Sequence, residues 1–302
     1  LNDIGDQLCA RKPVGEPIDL YAVKVELPGF QTLIRDGIIV TVGQTTPLTL
    51  ALQLATVQET VTVTGESPVV DTTSAAVNVT ITQELLQNTP GGRNIFALAE
   101  YKVPGLVTGR PDVGGAEGGL QVGLTVRGTP NSQTTQFLNG INVTDGGAAG
   151  ATQYYYDYDT FDEVQVGTGA LDLSVPGAGV FINMVTKSGG DRLSGRGSFS
   201  WSGKPTQGSN VDENLLNFGL REDAGALEFI SDGSFQIGGP LIANKLRLFT
   251  SVRDWRTHRN VPGFPDVEST DIFNVLANLT WQPSDQHRLG TFIGRNYYDK
   301  TN

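Results

Sequence analysis

The chain has 302 residues and a formal net charge of −11, with no clustered Lys or Arg, which excludes a phosphate-gripping surface and hence nucleic acid as a partner. Its 38 glycines and 15 prolines mark a turn-rich, strand-rich protein, and a single cysteine, Cys9, excludes an intrachain disulfide and a Cys-based metal site. No run of about 20 apolar residues is present, so any membrane role must come from strands.

Residues 1 to about 20 carry no pattern and no secretory signal, which suggests a processed chain or a fragment. From Tyr21 the residues alternate: Tyr21, Val23, Val25 and Leu27 share one face ahead of a Pro-Gly turn and further β-prone segments. This reads as the second half of a small β-sandwich, whose other strands lie upstream or come from another molecule. "VQETVTVTGESPVVDTTSA" then reads as an exposed strand inside a linker. Helical ground follows: Thr82 can cap a short turn through Leu86, and Asn94 can cap Ile95 to Lys102. The stretch "GLTVRGTPNSQTTQFLNGINVTDGG" supplies two short strands with tight corners, and apolar strands follow at Glu163 to Val166 and Val180 to Thr186. Residues 85 to 190 therefore form a small α+β unit.

After Asp191 the pattern changes. "SGRGSFSWSG" puts Phe199 and Trp201 opposite Ser198, Ser200 and Ser202, and "NVLANLTWQP" puts Val275, Ala277, Leu279 and Trp281 opposite Asn274, Leu276, Asn278 and Thr280. Strands are expected at 194–202, 228–238, 245–256, 273–282 and 288–298, with short turns at one end and long loops at 203–227 and 257–272 at the other. That is the pattern of an outer-membrane β-barrel, with Trp201, Trp281, Tyr297 and Tyr298 suited to aromatic girdles. A soluble antiparallel sheet with aromatic cross-strand pairs is the alternative at this point. Five strands cannot close a barrel, so the remaining ones are expected further along the same chain or from neighbouring subunits.

These segments resemble the TonB-dependent outer-membrane receptors, within them the Oar-like branch with a carboxypeptidase-regulatory-like N-terminal extension. "VELPGF", with "GIIVTVGQTTPLTLALQLATVQETVTVTG" after it, is similar to the end of that extension. "ETVTVTG" looks like the TonB box. "NTPGGRNIFALAEYKVPGL", "TVRGTPNSQTTQFLNGINVTD" and "FDEVQVGTGALDLSVPGAGVFINMVTKSGG" look like successive plug segments, the closing "VTKSGG" being the most specific. "GRGSFSW" and "IGGPLIANKLRLFTSVRDW" look like first barrel strands, out of about 22 in the family.

The resemblance implies a mainly β chain divided into a partial β-sandwich extension at 1–56, a TonB-box-like strand and linker at 57–80, a small α+β plug at 81–190, and the opening antiparallel strands of a transmembrane β-barrel at 191–302. The implied function is transport of a bulky solute across the outer membrane of a Gram-negative bacterium, driven by a periplasmic TonB-like partner, with the plug occluding the barrel. Glu59, Thr60, Val61, Thr62, Val63 and Thr64 would be the coupling strand, adding to the partner's sheet through its backbone. Arg127 would pair with the barrel wall or with Asp145, Asp162 or Glu163, making Arg127, Asp145 and Glu163 the expected plug–barrel contacts. In "YYYDYDTFD", Tyr154, Tyr155, Tyr156, Asp157 and Tyr158 could touch the solute from an apical loop or pack against the wall.

Enzymatic activity is not expected, since no nucleophile, base and orienter stand together. His258 and His287 lack metal spacing, the aspartates form no calcium loop, and "GTGALD" lacks the dinucleotide fingerprint, so neither a metal nor a cofactor is expected. Outer-membrane lipid and an unidentified solute are the remaining partners. The competing reading is a surface adhesin or fibre subunit, assembled by strand addition between neighbours.

Overall fold

The computed structural model describes residues 9–11, 20–40, 48, 50–54, 60–64, 77–90, 93–109, 121–148, 150–152, 154–169, 175–284 and 287–301. The chain is mainly β. Its first sheet runs in the order β1 (Cys9–Arg11), β2 (Leu20–Val25), β3 (Thr32–Ile39) and β4 (Thr60–Thr64). The Pro-Gly turn closes the antiparallel β2–β3 pair, with Gly29 at a φ of 87° that favours glycine. Strand β4, expected as an exposed strand in a linker, instead pairs in parallel with β3, Thr32 opposite Thr60 through Asp36 opposite Thr64. Alternating Thr and Val suit it to an extended ladder, and β3 offers the edge it needs.

The α+β unit is built on a second sheet, in the order β5 (Val77–Thr82), β10 (Phe161–Gly169), β11 (Phe181–Thr186), β8 (Thr135–Leu138) and β9 (Ile141–Asn142). Strand β5 starts at Val77, so this sheet begins ahead of the expected boundary at 81. A small ladder of β6 (Leu106–Thr108) and β7 (Leu124–Val126) lies beside it. Helix α1 (Gln83–Asn88) follows β5 directly. Thr82 stands at its N-cap position but makes no side-chain cap bond, whereas Asn94 caps α2 (Ile95–Lys102) by accepting from the Phe96 N–H at 2.9 Å. Ile81, Phe96, Leu124, Phe161, Val166 and Met184 are among the residues of one buried core joining both helices to both ladders. The β8–β9 corner works because Asn139 and Gly140 both take positive φ, 50° and 79°, as a two-residue hairpin turn of the right twist requires.

The third sheet is an antiparallel meander of β12 (Ser194–Gly203), β13 (Leu227–Ile242), β14 (Leu246–Asn260), β15 (Val267–Ser284) and β16 (His287–Thr301). All five expected strands are present, and β13 to β16 run to 15–18 residues. That exceeds the roughly 9–11 residues needed to cross hydrocarbon, so the strands continue beyond it toward the long loops, one of which carries α3 (Glu213–Asn217). Period-two alternation divides the faces. Phe199, Phe235, Val252, Phe273, Trp281 and Ile293 lie on the exposed face, while Ser251, Arg253, Thr257, Asn274 and Asn278 lie buried on the other, against the α+β unit. An apolar outer band over a polar inner face is the barrel pattern. No helix among the described residues is long and apolar enough to cross a membrane. Trp201, Trp281 and Tyr297 are exposed as girdle residues should be, but Tyr298 pairs with buried Ile272 on the inner face and stacks on Tyr155, rings 4.5 Å apart. Its parity, one residue from Tyr297, dictates this.

Candidate functional site

The site is the face where the α+β unit meets the inner side of the wall. Its chemistry converges on three carboxylates, Asp157, Asp159 and Asp232. The short turn after Asp157 is held by the Asp157 side chain, which accepts from the Asp159 N–H, and this aims both carboxylates at the wall. Arg93, on a left-handed backbone (φ 54°) just before α2, donates through Nη2 to Asp159 Oδ2 at 2.5 Å and to Ser234 Oγ at 2.7 Å. Its Nη1 donates to Ser198 Oγ at 2.6 Å and lies 3.3 Å from Asp232 Oδ2. On the wall, Arg253 is 1% exposed and clasps Asp232 with two bonds, Nε to Oδ1 at 2.8 Å and Nη2 to Oδ2 at 2.9 Å. Its Nη1 also donates to the Tyr156 carbonyl, so a wall guanidinium grips the plug backbone.

Further along the interface, Ser251 Oγ donates to Asp157 Oδ2. Lys187 donates to the Asp159 carbonyl at 2.8 Å and to Gln236 Oε1 at 3.0 Å, and Asn278 donates to Thr186 Oγ1 and to the Lys187 carbonyl. Burial pushes the Asp157 carboxyl above its ordinary range despite the opposing pull of Arg253 and Ser251. Burial likewise lowers the Lys187 ammonium, against the attraction of Asp159, Asp162 and Asp157. The Tyr154 hydroxyl is raised to about 12, first by desolvation and then by the Asp157 charge. Beside this interface a cavity of about 360 Å³ opens between α1 and the wall, lined by Gln83, Gln87, Asp162, Lys187, Arg196 and Gln236 among others.

The expected contact residues stand elsewhere. Arg127 is exposed on a left-handed turn (φ 49°), its guanidinium beside Gly169, and it forms no ion pair with Asp145, Asp162 or Glu163 among the described residues. Asp145 caps its own loop by accepting from the Gly147 N–H, and Glu163 is buried within β10. Among the described residues, Arg93 of the plug reaches Ser198, Ser234 and Asp232 of the wall, and Arg253 of the wall reaches the Tyr156 carbonyl of the plug. Tyr154, Tyr155, Tyr156, Asp157 and Tyr158 are not an open apical loop. Tyr156, Asp157 and Tyr158 are buried, Tyr158 donating to the Leu86 carbonyl at 2.6 Å, and Tyr154 and Tyr155 press on the wall. Thr60 to Thr64 form β4, far in sequence from this interface, and Glu59 lies outside the described residues. Arg93 was visible in "GGRN" and Arg253 in "SVRDW", where an Arg on the polar face of a wall strand asks for a carboxylate partner. No group of three His, Cys, Asp or Glu suited to a metal occurs among the described residues.

A plug-like unit pressed by ionic contacts onto the polar inner face of a lipid-facing sheet defines the class: an outer-membrane barrel wall with its stopper. Residues 69–182 match the family described as TonB-dependent Receptor Plug Domain. Among solved structures, the siderophore receptor PirA from Acinetobacter baumannii is similar with a TM-score of 0.54 at 15% identity, over 77% of this chain and 33% of that one. The outer membrane transporter YddB from Escherichia coli matches with a TM-score of 0.54 at 14% identity, over 69% and 31%. A mutant of the ferric enterobactin receptor PfeA from Pseudomonas aeruginosa, in complex with enterobactin, matches with a TM-score of 0.51 at 16% identity, over 74% and 33%. The chain thus spans about a third of the length of these structures. No curated protein matches. The chain carries a TonB-dependent receptor plug domain together with opening strands of the barrel, and its place is the bacterial outer membrane.

Proposed function

We propose that the chain belongs to an energy-coupled receptor that moves a bulky solute through the barrel when a periplasmic TonB-like protein pulls on Glu59 to Thr64. One observation supports this reading above others. Strand β4 lies upstream of β5, and among the described residues β5 is the edge strand of the plug sheet, paired only to β10. A pull on β4 therefore reaches the plug at a strand that can be peeled one residue pair at a time. The polar seat on the wall fits the same role, since ionic and hydroxyl contacts re-form in water where an apolar seat would fuse. In this reading residues 1–56 are the end of an Oar-like, carboxypeptidase-regulatory-like extension, 57–80 the coupling strand and linker, 81–190 the plug and 191–302 the wall. The fibre-subunit alternative gains nothing from a wall whose inner face is already occupied by a plug.

Ferric enterobactin, named for one of the similar structures, is the first probe of solute uptake. Deletion of Glu59–Thr64 in the receptor, expressed in cells, is expected to reduce uptake to the level seen when a protonophore collapses the energy supply. Probe binding at the cell surface should persist. Uptake that continues at the undeleted rate would remove the coupling role.

A further inference from the structure

The plug segment from Tyr154 to Asp159 crosses the wall strand by strand. Tyr154 meets β16 and β15: its hydroxyl donates to the Val275 carbonyl, and its ring lies over Gly294. Tyr155 stacks on Tyr298 of β16 and packs against Ile230, Trp255 and Ile272 of three neighbouring strands. The Tyr156 carbonyl and the Asp157 carboxylate take Arg253 and Ser251 of β14, and Asp159 takes Ser234 of β13. Arg93 then extends the line from Asp159 to Ser198 of β12. Six consecutive residues thus touch four strands directly and reach the fifth through one guanidinium.

Such a crossbar can sit in only one register if something stops it sliding, and the wall supplies a stop. A Cβ added at Gly294 would stand 2.8 Å from Tyr154 Oη and 3.1 Å from two ring carbons. Gly294 pairs with Leu276 in the middle of β16 and is not among the glycines with positive φ, so no turn explains it. In a strand interior a glycine weakens the ladder unless another group needs the space. Here that group is the Tyr154 ring.

We propose that Tyr154–Asp159 is the crossbar that fixes the register of the plug on the wall, and that Gly294 is the notch admitting Tyr154. Both are positioning residues. The proposal concerns the resting seat and does not depend on what is transported.

The test uses the receptor in its native membrane with Cys9→Ser and a reporter pair, Thr186→Cys and Asn278→Cys. These positions are joined by a bond of 3.1 Å at a part of the interface remote in sequence from Tyr154. Disulfide yield at this pair reports register, and heat-resistant mobility in detergent reports an intact barrel. Gly294→Val is expected to lower the yield about tenfold, the size that overpacking strain of ordinary magnitude produces. Tyr154→Ala alone should lower the yield less than Gly294→Val does, because the notch loses its tooth while the Asp157, Asp159 and Tyr155 contacts remain, and adding Gly294→Val to it should bring no further loss. An unchanged yield in Gly294→Val, or a double variant as low as Gly294→Val alone, would overturn the proposal. Should Gly294→Val lose heat resistance, Gly294→Ala, whose added atom meets the same ring, is read instead with the same expected pattern.

Discussion

Replacing Arg253 with Met is expected to lower the stability of the receptor by about 3–5 kcal/mol, the usual consequence of removing one partner from a buried ion pair. Arg253 is 1% exposed, and Asp232, which it clasps with two bonds, is also buried. Without it the Asp232 carboxylate keeps a single cationic neighbour among the described residues, Arg93 at 3.3 Å, and the Tyr156 carbonyl loses a donor. The second variant separates charge from packing. Arg253→Met with Asp232→Leu removes both buried charges and should recover most of the loss, because an apolar pair of similar volume is often no less stable. Denaturant unfolding of the receptor in detergent measures both. A single variant within about 0.5 kcal/mol of the parent, the range of ordinary surface changes, would show that the pair is hydrated and not part of a closed seat.

Gly189→Ala is the second change expected to act strongly. Gly189 has a φ of 78°, where a side chain adds about 1–2 kcal/mol of strain. The added Cβ would also stand 2.5 Å from the Leu248 carbonyl oxygen, a backbone atom that cannot rotate away. Overpacking of that kind adds about 1–3 kcal/mol more. The surroundings leave no slack: a Cβ on Gly238 would lie 3.3 Å from the Gly189 Cα, and Asp191 is ion-paired to Arg247 of β14. Here the chain leaves the plug and enters the wall, so the variant should loosen the junction. The expected result is a lower midpoint and cleavage by added protease between plug and wall, in a parent that resists it. Gly263 is the control, with a φ of 87° but open space around it, so Gly263→Ala should show the backbone strain without the clash.

Much of the wall could be read from the residues because a lipid-facing strand writes its two environments alternately into the chain. Phe199 beside Ser198, and Val275 to Trp281 against Asn274 to Thr280, fixed both strand positions and faces. The ends of the strands could not be read so well, since above the hydrocarbon the alternation gives way to charged ladders such as Arg259, Glu268 and Lys300, which resemble loop residues. Asn94 as a cap was legible because the side chain and its acceptor geometry are local. The seat was not. Arg93 lies 66 positions from Asp159 and 141 from Ser234, and no local pattern couples residues that far apart. Arg127 stands on a left-handed turn with its guanidinium beside Gly169, and sequence spacing alone does not separate it from Arg93, which meets Asp159, Ser198 and Ser234. For the tyrosine cluster both settings stay open in the sequence, because aromatic and acidic residues suit a ligand loop and an ion-paired seat equally well, and the wall opposite decides for the seat.

The strands after Asp191 turn one side to lipid and the other to the plug. Nitroxide scanning along residues 272–280 of the receptor in lipid vesicles tests it most directly. Labels at Phe273, Val275, Ala277 and Leu279 should collide freely with oxygen and little with a water-soluble nickel chelate, while labels at Asn274, Leu276 and Asn278 should be shielded from both. Equal access of the nickel chelate to both sets, or shielding that follows no period of two, would mean that these strands do not separate lipid from plug.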